Sequence, residues 1–183
     1  MTSSIVLYSK EDFVFKKNDK NDYSLFFYME NPHINLSKII DFNLVKLIYD
    51  VNKDIYEKVN LTIINDNEAT LNLLMKSLFE EIGMCQRFSY LNIEKVVTDN
   101  SISFISKTIK DVKPEGMPND AELIPIKNMI CKFNIITQHK IEFICNILFE
   151  NTNIIPSVVE KIIGLILFKV FKRVKQFIEN VII

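Results

Sequence analysis

Residues 121–150 read AELIPIKNMICKFNIITQHKIEFICNILFE, with apolar and polar side chains alternating almost without a break. In the first segment Met129, Cys131, Phe133 and Ile135 share one face, against Ile130, Lys132, Asn134 and Ile136 on the other. In the second, Ile141, Phe143, Cys145, Ile147 and Phe149 share a face opposite Lys140, Glu142, Asn146 and Leu148. Successive side chains of a strand point to opposite faces, so a period of two carried by β-branched and aromatic residues marks strands buried on one side. Thr137-Gln138-His139 between the segments is about the length of a hairpin turn. The two segments are therefore expected to form the central antiparallel pair of a sheet, with helices over one face.

The rest of the chain supplies elements around that pair. Residues 4–8, 12–17 and 22–29 read as short strands, the last two joined by a polar turn over 18–22, and Asn31-Pro32 breaks the pattern. Ser37 can cap a helix in which Ile40, Leu44, Leu47, Ile48, Val51 and Ile55 recur at helical spacing to about Lys58. Residues 59–64 form a strand candidate. Asn65-Asp66-Asn67 then ends it and caps a second helix, with a stripe of Leu71, Leu74, Met75, Leu78, Phe79 and Ile82 and Gly83 at its stop.

From Arg87 the period returns to two. Phe88, Tyr90, Leu91, Ile93, Val96 and Val97 make one strand, and Ile102, Phe104, Ile105 and Ile109 another, with Asp99-Asn100 as the turn between. Residues 111–120, holding Pro114, Gly116 and Pro118, are the one true loop and the segment most open to flexing or proteolysis. Pro156 opens a last helix with a broad apolar face from Val158 to Ile178. The order is β-β-β, α, β, α, four strands and a helix. The expected fold class is α+β: a mostly antiparallel sheet of about six strands with amphipathic helices packed on it, including a long C-terminal helix.

Bulk properties set bounds on this. At 183 residues the chain is one domain, 1–183, long enough to bury a core. Hydrophobic residues make up 48% and charged residues 25%, which excludes disorder, and a net charge of −1 argues against nucleic acid as a partner, because phosphate binding needs a basic excess. The isoleucine, asparagine and lysine bias points to an AT-rich genome. Three cysteines, Cys85, Cys131 and Cys145, have no metal-type spacing. Cys131 and Cys145 lie on apolar strand faces, where a cysteine acts as a small hydrophobe. The N-terminus lacks a Sec-type signal pattern, and the longest uncharged apolar run, 162–168, is far short of a membrane span. The expectation is a protein made soluble inside the cell.

No motif for chemistry appears: no Gly-rich phosphate loop, HExxH, GxSxG or CxxC. His33 follows Pro32 and His139 sits in the hairpin turn, so both read as solvent-exposed. Glu80-Glu81 diverge by about 100° on a helix and read as a solvated face. Asp19, Asp22, Asp66 and Asp99 are turn or cap residues. Enzyme is the disfavoured class, and no catalytic, cofactor-binding or metal-binding residue is assigned. The last helix is locally basic. Lys161, Lys169, Lys172, Arg173 and Lys175 lie off its apolar face, and Phe168, Phe171 and Phe177 lie among them. Either the apolar face packs on the sheet with the lysines in water, or the helix lies in a membrane interface, where such a basic face favours anionic lipid. On the second reading these eight residues are the candidate membrane or partner contacts.

The run RFSYLNIEKVVTDNSISFISKTIKD followed by ELIPIKNMICKFNIITQHKIEFICNILFEN, with Pro125-Ile126 opening a strand, resembles the core of the Cyt-type cytolytic δ-endotoxins, as does YSLFFYMENPHINLSKIIDFN. The likeness covers residues 22–58 and 68–150. This chain is shorter, has no tryptophan and adds a C-terminal helix. The resemblance implies an α/β sandwich and a protein acting on membrane lipid, and no residue role is carried over from it. The expected function is non-enzymatic and membrane-active, cytolytic or pore-forming, or lipid-binding. The alternative is a host-interaction or minor structural protein of a large AT-rich DNA virus, acting by protein–protein binding. The expected partner is membrane lipid or a protein, and self-association into a homo-oligomer is open. A third architecture fits the same order: a helix-grip fold, whose curved sheet wraps the last helix around an apolar pocket of roughly 300 Å3 or more.

Overall fold

The computed structural model describes residues 4–77, 85–150 and 155–182. Its strands are β1 (Ile5–Lys10), β2 (Phe13–Asp19), β3 (Asp22–Glu30), β4 (Tyr56–Asn65), β5 (Glu68–Met75), β6 (Arg87–Thr98), β7 (Ser101–Thr108), β8 (Glu122–Leu123), β9 (Ile126–Thr137) and β10 (Lys140–Phe149). A single 3-10 turn (Leu36–Ile39) leads into α1 (Phe42–Asp50), and the last element is α2 (Ser157–Glu179).

The strands form one sheet of ten, in the order β1-β2-β3-β10-β9-β7-β6-β5-β4, with the short β8 parallel to β6 and every other neighbour antiparallel. The α+β class and the long C-terminal helix are as the sequence implies. The sheet is larger than the six strands expected. The β9–β10 hairpin lies at its centre, turning at Gln138 and His139, with Phe143 opposite Phe133 and Cys145 opposite Cys131. The faces follow the alternation: Ile141, Phe143, Cys145 and Ile147 are buried on the helix side.

Two helices were read too generously. The first is cut to α1, because Asp41 caps it, its carboxylate accepting from the amides of Asn43 and Leu44. Just past its end stands the fully buried Asn52, whose side-chain amide donates to the carbonyls of Ile48 and Val170. The second expected helix is strand β5 over its described part. Ala69, Leu71 and Leu73 point into the core, paired with Ile93, Leu91 and Ser89 of β6. Leu78, Phe79, Glu80, Glu81, Ile82 and Gly83 lie outside the described residues.

The loop 111–120 is held down. Met117 and Ala121 are buried against Leu74 and Phe88, and Lys113 Nζ donates to the carbonyls of Asn119 and Ala121. His33 is exposed, as expected. His139 is only half exposed: its Nδ1 lies 3.1 Å from the Asn31 carbonyl and 2.9 Å from that of Ile34, so the ring braces the connection after β3.

Candidate functional site

The sheet's inner face and α2 enclose the largest apolar seam of the fold. A row of rings crosses the strands there: Phe13 of β2, Phe27 of β3, Phe143 of β10, Phe133 of β9, Phe104 of β7 and Phe42 of α1, with successive centroids 4.8–6.0 Å apart. The sequence puts them there by register, since Phe143 stands directly opposite both Phe27 and Phe133. Such pairs add about 0.5–1.5 kcal/mol each beyond the area they bury.

Helix α2 seats on this row with the stripe Glu160, Gly164, Val170, Val174 and Ile178 buried. Phe168 packs on Tyr8 and Phe13 at 5.3 and 5.2 Å, and Phe171 on Phe27 and Phe143 at 5.6 and 5.0 Å. Close approach depends on Gly164, where a Cβ would stand 3.0 Å from Tyr8 Cβ and Phe15 Cδ1. The seam is nearly full. The best-formed spaces among the described residues lie one against Phe13 and Phe168 and one among Met29, Leu44, Ile48 and Phe133, each of about 10 Å3. Each has room for roughly one water. The architecture is that of a helix grip, and at neither of these two points is a pocket of roughly 300 Å3 open.

Polar clasps fix the helix. Glu160 is 4% exposed, and its Oε1 accepts from Lys17 Nζ and from Tyr23 Oη, both at 2.6 Å. Burial, and then the Glu160 carboxylate, push the Tyr23 hydroxyl far up. Burial alone holds Tyr56 up at about 12 and is the main cause raising Tyr49. Further along, Asp54 takes Arg173 and Lys169, and these hydrogen bonds hold its carboxyl well below the usual range. Lys172 reaches Glu11 at 3.0 Å and Lys175 reaches Asp12 at 2.7 Å. Asn31, fully buried, donates to the carbonyls of Ile178 and Val181 at the helix end.

These contacts redistribute the expected contact residues. Lys169, Lys172, Arg173 and Lys175 are ion-paired within the molecule, so most of the basic face is already neutralised. Phe168 and Phe171 belong to the seam. Lys161 and Phe177, the latter 50% exposed, face outward, as do Val158 and Leu165. The residues that sequence reasoning missed are Glu160, Gly164, Asn31, Asn52 and Asp54. One of them left a signal: Glu160 is an acid on the apolar stripe of an amphipathic helix, a position that demands a partner. Among the described residues no three of His, Cys, Asp or Glu come together, and none of the helices is long and apolar enough to cross a membrane.

No protein-family model matches the sequence, and no curated protein does. Solved structures do match. The human StarD13 (DLC2) lipid transfer and protein localization domain superposes with a TM-score of 0.72 at 10% identity, covering 99% of this chain and 91% of that one. Human StAR-related lipid transfer protein 5 gives 0.69 at 8% identity over 97% and 86%. A STAR-related lipid transfer protein fragment from Xanthomonas axonopodis gives 0.67 at 10% identity over 97% and 99%. At such identities the likeness is one of architecture: this chain has the fold of the StAR-related lipid-transfer domains.

Proposed function

We propose that this chain is a non-enzymatic lipid-binding protein that takes an apolar chain between α2 and the inner face of the sheet. The observation that carries the reading is a continuous aromatic and aliphatic seam roofed by α2 with α1 at its side, in a fold shared with lipid-transfer domains. The polar groups buried along the seam include the clasps at the helix ends, the Asn52–Arg173 contact, and Ser89 and Ser106 on the inner face of β6 and β7. With about 10 Å3 free at each of the two best-formed points, a ligand entering there displaces side chains or part of the helix. The first half of α2 is the part that gives way. Before Lys169 its hydrogen-bonded tie is Glu160, whereas the second half is held by Asp54, Glu11, Asp12 and Asn31.

The test is solvent extraction of the purified protein with mass spectrometry, together with binding of a fluorescent fatty acid to wild type and Glu160→Gln. Bound lipid, or probe binding that strengthens when the Glu160 tie is weakened, supports the reading. An empty extract with no probe response in either protein sinks it. The cytolytic form of the proposal, which the Cyt-type resemblance implies, adds dye release from vesicles on the same preparations. The second reading, a protein-binding module such as a viral host-interaction or minor structural protein, is favoured by the filled seam and by Val158, Leu165 and Phe177 standing outward on α2.

A further inference from the structure

We propose that the free edge of β4 pairs antiparallel with β4 of a second copy, joining two molecules through one continuous sheet. Strand β4 is ten residues long and terminal in the sheet, bonded to β5 on one side, and among the described residues no strand pairs with its other side. Its outward amides and carbonyls are a template for another strand. Proteins usually blunt such an edge with short length, charge, proline or a bulge. The opposite edge does so: β1 has six residues, a register break between Val6 and Tyr8, and α2 packed against it at Gly164. In β4 the stretch VNLTIIN, 59–65, has no charge, proline or glycine, and its register irregularities fall at its two ends.

The stretch is complementary to itself. A two-fold axis through Leu61 sets Val59 opposite Ile63 of the second copy, Asn60 opposite Thr62, and Leu61 opposite Leu61. Val59, Leu61 and Ile63 continue the buried row Leu73, Leu71 and Ala69 of β5, yet Val59 and Ile63 are 37% and 52% exposed for want of a neighbour. The same axis places Asn60 amide against Thr62 hydroxyl on the other face. The nearest charges stand outside the stretch: Lys58 reaches the Glu115 carbonyl of its own molecule at 3.1 Å, and Asp66 lies in the turn after β4, so neither puts a like charge into the paired region. The occupant that satisfies the apolar row and the polar row together is the strand itself.

A one-strand contact is at the small end of specific interfaces, so association should depend on concentration. Sedimentation velocity from about 1 to about 200 µM should move from monomer to dimer, a window matched to so small an interface. Ile63→Lys, at an exposed site that leaves the fold intact by circular dichroism, should hold it monomeric. In a Cys85→Ser background, Leu61→Cys should give a covalent dimer with glutathione disulfide, whereas Glu57→Cys should not. Should Leu61→Cys unfold, mixed Asn60→Cys and Thr62→Cys chains read the same register. A monomer throughout the range overturns the proposal, as do open-ended oligomers. So does a dimer indifferent to Ile63→Lys that lacks these cross-links.

Discussion

Glu160 shows how much one residue sets. A carboxylate under a helix is stable as an ion only with partners, and Lys17 and Tyr23 supply both charge and hydrogen bond. Glu160→Gln leaves the Lys17 ammonium without its counter-charge, and since Lys17 is partly solvated the expected cost is about 1–3 kcal/mol. It should appear as a lower urea midpoint at unchanged slope, and an unchanged midpoint would contradict the clasp. The tyrosines set an alkaline limit. A folded state that holds its phenolic protons more tightly than the unfolded chain is favoured below pH 10. That advantage is lost as pH climbs from 10 toward the folded value of about 12 for Tyr56, with Tyr49 and Tyr23 also raised. Urea midpoints should therefore hold up to pH 9 and fall beyond 10, and Tyr49→Phe should soften the fall. Midpoints flat to pH 12 would refute it. Thiol reactivity sorts by burial as well. Exposed Cys85 should react with an aromatic disulfide reagent at once, the half-buried Cys131 more slowly, and buried Cys145, whose sulfur lies 3.2 Å from that of Cys131, only in denaturant. The bond to Cys131 and burial both raise the Cys145 thiol. That Cys145 is a core thiol was legible from its place in the alternation, while Cys131, expected beside it in the core, is only half-buried. Glu160's partners, 143 and 137 positions away, were not legible.

At the scale of the element, the segment 68–75 shows where periodicity stops deciding. Leu71, Leu74 and Met75 fit a helix, yet Ala69, Leu71 and Leu73 fit a strand equally well, and Leu74 is apolar because Met117 covers the outer face there. Short apolar runs satisfy both periods, and the tie is broken by backbone pairing with β4 and β6 that the local sequence does not carry. The longer β9 and β10 have enough alternation to be unambiguous. In α2 the decisive position is Gly164. An alanine there gains up to about 1 kcal/mol of helix propensity but must fit 3.0 Å from Tyr8 and Phe15, so the two effects nearly cancel. Gly164→Leu has no such room and should cost about 1–3 kcal/mol by overpacking, measured by chemical denaturation. Equal stability of the leucine variant would mean that the helix does not seat where Gly164 puts it.

The whole molecule is a sheet whose two ends of sequence meet in its middle, and this is why class and core were legible while topology was not. Alternation names strands but not their neighbours, and antiparallel blocks admit several orders. The closed seam has its own consequence. Phe143→Ala or Phe27→Ala should cost about 3–5 kcal/mol and leave a dry apolar void. In a protein built to hold lipid, that void should raise affinity for the fluorescent fatty acid severalfold, whereas weaker binding would place the ligand elsewhere. The pairing of β3 with β10 also bears on synthesis. Glu30 is matched with Lys140, and between them the rest of the sheet must be made. At about 5–20 residues per second, the first three strands leave the ribosome and wait some 5–20 s for their partner. The N-terminal hairpins, with the outer edge of β3 unpaired and Phe15 and Phe27 uncovered, are for that interval a client for any chaperone that holds extended apolar chain.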